Sequence, residues 1–101
     1  MALQGHIVVP TTKDKAEHVI DELTAKMAVQ FGGYSRYEGT GGWEGENGRV
    51  EENHARLVVN SMDDDRESFR EYLTIEAEYV KDVLDEEAVL IEIHEMEMDL
   101  V

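Results

Sequence analysis

The chain has 101 residues and a formal net charge of −15, with 9 Lys and Arg against 24 Asp and Glu. That length suits a single domain over residues 1–101, and the charge argues against a nucleic-acid partner because phosphate binding needs a basic surface. The lack of Cys excludes a disulfide scaffold and a thiolate metal site, and no apolar run approaches the roughly 20 residues that span a bilayer.

The acidic residues are spread along the chain, and Lys occurs only at positions 13, 15, 26 and 81. This balance is typical of proteins from a high-salt cytoplasm, and an ordinary acidic protein is the alternative. The first ten residues show no basic segment followed by a long apolar run, so we expect no secretion signal and a cytoplasmic location. A hydrophobic content of 42% is enough for a packed core.

The first part of the chain predicts a strand, a helix and a second strand. Gly5–Pro10 is a β-branched run closed by proline, which indicates a strand. Thr11 and Asp14 form a capping pattern before a helix over Lys13–Phe31, whose apolar residues recur every three or four positions. The two glycines that follow end this helix, and Tyr34–Glu38 alternates aromatic and polar residues as a strand does.

A glycine-rich segment separates the second strand from the third. Residues 39–48 have the composition of a turn, and Asn47-Gly48 is a strong hairpin signal. A phosphate-binding loop is excluded because the segment leads into a strand and not into a helix. Arg49–Met62 then predicts the third strand, with Ala55, Leu57 and Val59 on one side.

The last part of the chain predicts a helix and a strand. Asp63 or Asp64 caps a helix whose apolar stripe comprises Phe69, Leu73, Ala77, Val80 and Leu84. Ala88–Ile93 follows as the fourth strand. The order βαββαβ predicts a ferredoxin-like α+β fold, with a four-stranded antiparallel sheet in the order 4-1-3-2, both helices on one face and a long hairpin between the second and third strands.

We call the sheet surface opposite the helices the open face. Strand alternation places a mixture of apolar and ionisable residues there, which favours a face covered by a second copy in a homodimer or by a ligand. Scattered exposed apolar residues of no special role are the alternative. Our candidate ligand or interface residues are His6, Val8, His54, Arg56, Val58, Leu90, Glu92, His94 and Met96.

Three of the four histidines fall on the open face, close to Glu92. We expect His6 and His94 on adjacent strands at one end of the sheet and His54 toward the other end. Imidazole and carboxylate donors suit zinc, copper or iron, but no HxH, HxxxH or HExxH spacing accompanies them. We therefore predict no cofactor and no metal, with His6, His94 and Glu92 as the fallback candidates. Arg56 or Arg36 is expected to neutralise Glu92.

Catalytic residues are not predicted, because carboxylates occur throughout and no serine lies in a nucleophile elbow. Trp43 is the single tryptophan and is expected near the hairpin tip. It either anchors a partner protein or folds back onto the core, and both remain open. The segment 95–101 alternates well enough to pair within the chain or with a neighbour's sheet edge.

The run from Phe31 to Glu52 resembles a family of small proteins of bacteria, phages and plasmids. That family carries a Phe-Gly-Gly motif, a Gly-Gly-Trp motif, a turn and an acidic strand. The resemblance implies a compact α+β domain with no assigned activity, and the acidity would fit a haloarchaeal or halovirus member. The matching residues are Phe31, Gly32, Gly33, Gly41, Gly42, Trp43, Gly48 and Glu51 or Glu52.

These features favour a non-enzymatic binding or assembly module that self-associates through the open face and meets a protein partner with its hairpin. A small-ligand-binding protein or enzyme is the alternative, with a pocket on the sheet face lined by the histidines, Arg56, Glu92 and Tyr34 or Tyr37. A further alternative is an acidic regulatory protein of a virus or plasmid that occupies a basic host protein.

Overall fold

A computed structural model describes residues 2–99 and 101 of the chain. Its four strands form one antiparallel sheet in the order β2-β3-β1-β4, which confirms the predicted ferredoxin-like α+β fold. Within the described residues, neither helix is both long and apolar enough to cross a membrane. The elements are β1 (Ala2–Pro10), α1 (Ala16–Phe31), β2 (Ser35–Gly45), β3 (Gly48–Ser61), α2 (Arg66–Leu84) and β4 (Ile91–Met96).

The core lies between the sheet and the two helices. The helix-facing residues of β1, Ile7 and Val9, are buried together with the three residues predicted on one side of β3 and the predicted stripe of α2. Val89, Ile91 and Ile93 are half-buried and pack against the same cluster. Alternation along the strands and the 3.6-residue period of the helices therefore meet in one apolar layer.

The boundaries in the first half of the chain differ from those predicted. β1 begins three residues early, because Ala2 and Leu3 pair with Met96 and Glu95 of β4. The predicted start of α1 at Lys13 and its capping by Thr11 are wrong. The Thr11 amide instead donates to the Asn53 carbonyl at 3.0 Å. The chain therefore stays bonded to β3 at Thr11, and the helix begins at Ala16. Lys15 precedes the helix without a side-chain cap.

The end of α1 and the start of α2 depend on single residues. Gly32 follows α1 with φ 80°, the left-handed conformation that glycine adopts without strain, as predicted. The cap of α2 is Asp65 and not Asp63 or Asp64. The Asp65 carboxylate accepts hydrogen bonds from the amide and the hydroxyl of Ser68 at 3.1 and 2.8 Å.

β4 is shorter than predicted and begins at Ile91, not at Ala88. The segment before it still follows β1, since the Val8 amide donates to the Leu90 carbonyl at 3.1 Å. Glu95 and Met96 pair with β1 of the same chain, which answers part of the question left open for the C-terminal segment. Residues 97–99 lie outside any strand, and residue 100 lies outside the described residues.

The largest difference from prediction concerns residues 39–48. They are not a long turn, because β2 and β3 continue to Gly45 and Gly48 and leave only Glu46 and Asn47 between them. Gly48 has φ 111°, a conformation that other residues rarely adopt. Glycine tolerates an extended backbone as well as a turn, so composition alone placed the turn too early.

The hairpin continues beyond the rest of the sheet. β1 pairs with β3 as far as Pro10 and His54, and residues 40–53 then form a two-stranded segment that we call the ribbon. The ribbon lengthens the molecule, whose principal extents are 48 × 26 × 24 Å.

Candidate functional site on the open sheet face

The ionisable residues of the open face converge across β1, as their alternation predicts. His6 of β1 lies opposite Glu92 of β4, and the next outward-facing pair joins Gln4 to His94. The rings of His6 and His94 meet edge-on with 5.1 Å between their centroids. The predicted proximity of His6 and His94 at one end of the sheet is therefore observed.

Arg56 joins the two outer strands of this cluster. It projects from β3, reaches over β1 and donates to Glu92 Oε2 on β4 at 2.6 Å. The same Nη1 lies 2.9 Å from His6 Nδ1. Arg36, the other predicted partner of Glu92, instead forms ion pairs with Glu17 and Glu38. Arg56 is thus the residue that neutralises Glu92.

The hydrogen bonds of His6 define its tautomer. A guanidinium can only donate, so His6 Nδ1 accepts from Arg56 and the proton resides on Nε2. Nε2 then donates to Gln4 Oε1 at 2.8 Å, and Gln4 Nε2 donates to Asn60 Oδ1 at 3.0 Å. The chain Asn60–Gln4–His6 therefore orients the ring with the lone pair of Nδ1 toward Arg56 and Glu92.

The charges of the cluster follow from this arrangement. Burial and then the charge of Arg56 lower the pKa of His6 below its usual 6.5, so the neutral ring is favoured. Hydrogen bonds from Arg56 and then from His94 lower the pKa of Glu92, so the carboxylate is favoured. The His94 side chain is 48% exposed, and its Nε2 lies 3.0 Å from Glu92 Oε1. The cluster holds one carboxylate, one guanidinium and two imidazoles.

His54 lies apart from this cluster, toward the other end of the sheet as predicted, opposite Pro10. Its ring covers the neighbouring strand at Gly39, where an added Cβ would lie 2.9 Å from Nε2. The glycine therefore makes room for the imidazole, which packs across β2 and β3.

The apolar candidates of the open face differ in exposure. Val58 is buried, Val8 and Met96 are half-buried, and Leu90 is 54% exposed. Tyr37, across from Arg56, is 59% exposed. The face therefore combines a hydrogen-bonded polar cluster with exposed apolar side chains around it.

Trp43 lies on the ribbon and is 51% exposed. It is paired with Val50 of β3, which is 40% exposed, and the core cluster does not include it. The alternative in which Trp43 folds back onto the core is therefore not observed. The ribbon presents an exposed tryptophan and an exposed valine side by side.

A groove at one end of the open face was not anticipated from the sequence. It has a volume of about 520 Å³, and its walls are mainly apolar. Of the predicted ligand residues only Val58 and Tyr34 reach it. His6, Arg56, Glu92 and His94 bond to one another elsewhere on the face. Its lining comprises Phe31, Gly32, Gly33, Tyr34, Ser35, Val58, Asn60, Met62, Met98 and Asp99.

Gln4 and Asn60 are site residues that sequence reasoning missed. Both lie two residues from an outward-facing residue, His6 or Val58, so strand alternation could have placed them on the open face. Their function in orienting His6 depends on the register Gln4–Asn60, which pairs residues 56 positions apart. The groove was not predicted either, because its walls come from segments distant in sequence, the end of α1 and the C-terminal segment among them.

No family model matches the chain, and no curated protein matches it. The fold is similar to a phage SAM lyase in complex with S-methyl-5'-thioadenosine, with a TM-score of 0.70 and 17% identity over 93% of this chain and 81% of that chain. It is also similar to the periplasmic divalent cation tolerance protein CutA from Archaeoglobus fulgidus, with a TM-score of 0.64 and 18% identity over 99% and 88% of the two chains. At these identities the likeness concerns the fold.

Proposed function

We propose that the protein is a binding module that self-associates through its open face into a homodimer. The observation that carries this proposal is the ribbon, residues 40–53, which extends past β1 as two strands alone. A two-stranded hairpin in water is marginally stable without a third strand or a packed face. A second copy lying on the open face would supply that packing.

The exposed side chains support the same arrangement. Tyr37 and Trp43 of β2, Val50 of β3 and Leu90 beside β4 are all 40% exposed or more and all belong to the open face. Aromatic residues are enriched at the centres of protein interfaces, where binding buries their large surfaces from solvent. In a two-fold symmetric dimer, this patch on one copy would contact the same patch on the other copy.

Trp43 provides a direct test because it is the single tryptophan of the chain. In molar NaCl, which screens the net charge, we expect its fluorescence emission to shift to longer wavelength when the protein is diluted. The shift would report transfer of the indole from an interface to water. Emission that stays characteristic of an exposed indole at every concentration contradicts the proposal.

Two matched variants locate the interface. Val50→Ser removes an exposed apolar side chain next to Trp43, and Ile75→Ser removes one from α2, on the other side of the molecule. We expect Val50→Ser to move the dilution midpoint to higher concentration and Ile75→Ser to leave it unchanged. Equal effects of the two variants would place the interface elsewhere.

The groove supports a second candidate function, the binding of a small ligand. Its volume of about 520 Å³ lies in the usual range for ligand sites, and its aromatic and thioether walls suit a flat heterocycle. A solved structure with the same fold holds S-methyl-5'-thioadenosine, so this nucleoside is the first probe. We expect it to raise the melting temperature of the protein, and Tyr34→Ala to reduce that rise where Tyr37→Ala does not. An unchanged melting temperature would reject this ligand.

The cytoplasmic location, the halophilic origin and the resemblance of Phe31–Glu52 to the small bacterial and phage family stay predictions from sequence. Each concerns the source of the protein and not the geometry of its open face.

A further inference from the structure

We propose that His6, Glu92 and His94 form a three-ligand site for a divalent transition-metal ion of the Zn²⁺ class. One ligand atom from each residue lies within 4.8 Å of the other two. Two imidazoles and one carboxylate are a donor set that holds zinc with a coordination position left open. All three ligands belong to a single chain, so the site does not depend on self-association.

Strand pairing sets the backbone positions of the site. His6 and Glu92 face each other across a paired register, and His94 follows Glu92 by two residues on the same side of β4. Ligands on a tetrahedral zinc ion lie about 3.4 Å apart. Closing the three donors around an ion therefore needs side-chain movements of roughly 1 Å and no change in strand pairing.

The tautomer of His6 favours ligation. Gln4 Oε1 accepts a hydrogen bond from the Nε2–H of His6, and Asn60 Oδ1 accepts one from the Gln4 amide in turn. The remaining nitrogen, Nδ1, carries its lone pair and is directed at Arg56 Nη1, 2.9 Å away, the atom that also contacts Glu92. Histidine ligands in metal sites are commonly held in this manner, with the second ring nitrogen donating to a fixed acceptor. Gln4 is therefore a positioning residue.

A cationic group already occupies the position where the metal ion would lie. The Arg56 guanidinium contacts both Glu92 Oε2 and His6 Nδ1, at 2.6 and 2.9 Å. These are two of the three proposed ligands, so an ion would have to displace Arg56. The proposal thus makes Arg56 a competitor, and its removal should strengthen metal binding. The net charge of −15 favours the approach of any cation.

The test is calorimetric titration of the full chain with ZnCl₂ in the presence of excess MgCl₂. Mg²⁺ occupies exposed carboxylate groups but has little affinity for imidazole, so it suppresses binding to the acidic surface. We expect one Zn²⁺ per chain. Displacement of all bound Zn²⁺ by Mg²⁺ would overturn the proposal.

Variants identify the ligands. His94→Gln should abolish Zn²⁺ binding, and because the His94 side chain is 48% exposed the fold should be unaffected. Gln4→Met should weaken binding about tenfold by releasing the ring of His6. Arg56→Gln should strengthen it. His18→Gln is the control, since His18 lies on α1 beside Glu22, far from the cluster in the fold.

Cobalt gives an independent readout. Co²⁺ in a four-coordinate nitrogen and oxygen site absorbs strongly in the visible region, whereas hydrated Co²⁺ is nearly colourless. We expect this absorption for the wild-type chain and for His18→Gln, and its loss in His94→Gln. Wild-type affinity in His94→Gln, or equal loss in His18→Gln, would show that the ion binds to scattered surface groups and would overturn the proposal.

Discussion

Gly5 sets the distance between β1 and α2. It lies in the middle of the strand, opposite Val59, on the side that faces the helices. A Cβ added here would lie 2.6 Å from Phe69 Cζ and 2.8 Å from Leu73 Cδ1. Both neighbours are buried and have little room to move.

Gly5→Ala should therefore reduce the free energy of unfolding by about 1–3 kcal/mol, the usual range for overpacking. Urea denaturation followed by circular dichroism measures the change. Gly33→Ala is the matched control, because nothing lies within 4 Å of a Cβ added there. A Gly5→Ala variant as stable as the control would show that α2 packs less closely on β1 than described.

The stability that Asp65 contributes as the N-cap of α2 depends on pH. Hydrogen bonds from the amide and hydroxyl of Ser68 lower the pKa of Asp65 below its ordinary 3.8 in the folded chain. The unfolded chain therefore binds the proton more readily, so the contribution of Asp65 is complete above the ordinary value and is lost as pH falls through the folded value.

We expect Asp65→Asn to keep much of the cap and to flatten the acid limb of stability against pH, because Asn caps helices but does not titrate there. Thermal melts from neutral pH to about pH 3 test this. Asp64→Asn is the control, and a flattening in Asp64→Asn instead of Asp65→Asn would return the cap to the position predicted from sequence.

At the residue level, strand alternation predicted which side chains of β1, β3 and β4 lie on the open face. Alternation is a local property, and it placed His6, Glu92 and His94 together correctly. It did not reveal that Arg56 crosses β1 or that Gln4 and Asn60 orient His6. Those contacts depend on pairing register between distant segments, which no local pattern encodes.

At the level of elements, the glycine-rich part of the ribbon has the composition of a turn but the pairing of a strand. Four glycines at positions 39, 41, 42 and 45 indicated a turn, yet all lie within β2. Gly39 and Gly41 lie on the same face as Tyr37 and Trp43 and leave the surface between them without side chains, and His54 covers part of it. Pairing along the whole hairpin outweighs the weak strand propensity of glycine.

The ribbon should exchange its amide protons faster when the protein is dilute. Residues 40–53 have one neighbouring strand each, whereas β1 is paired on both sides. If a second copy packs on the ribbon, dilution removes that protection and leaves the exchange of β1 slow. Hydrogen exchange read by mass spectrometry at two concentrations checks this. Ribbon exchange that is independent of concentration would indicate that the hairpin is stable alone.

At the level of the whole molecule, charge dominates. The 24 acidic side chains exceed the 9 basic ones by 15, so repulsion outweighs the pairs that the basic residues form. Raising the salt concentration from about 0.1 to 1 M shortens the screening length from roughly 10 to 3 Å. Screening weakens both the repulsion among acidic groups and the attraction within ion pairs. Because the repulsion is larger, its loss dominates.

The free energy of unfolding should therefore increase with NaCl over this range. Urea denaturation at fixed pH measures it, and NaCl is preferred to sulfate because sulfate also strengthens apolar burial. A stability that falls with salt would mean that the ion pairs, such as Arg56–Glu92, contribute more than the net repulsion removes.

If the open face is an interface between two copies of the chain, the protein is a dimer in solution. The most direct measurement is the molar mass in solution by light scattering in molar NaCl. We expect a mass twice the 11.5 kDa of one chain. A mass of one chain at every accessible concentration would contradict it, and would leave Trp43 and the ribbon exposed for a different protein.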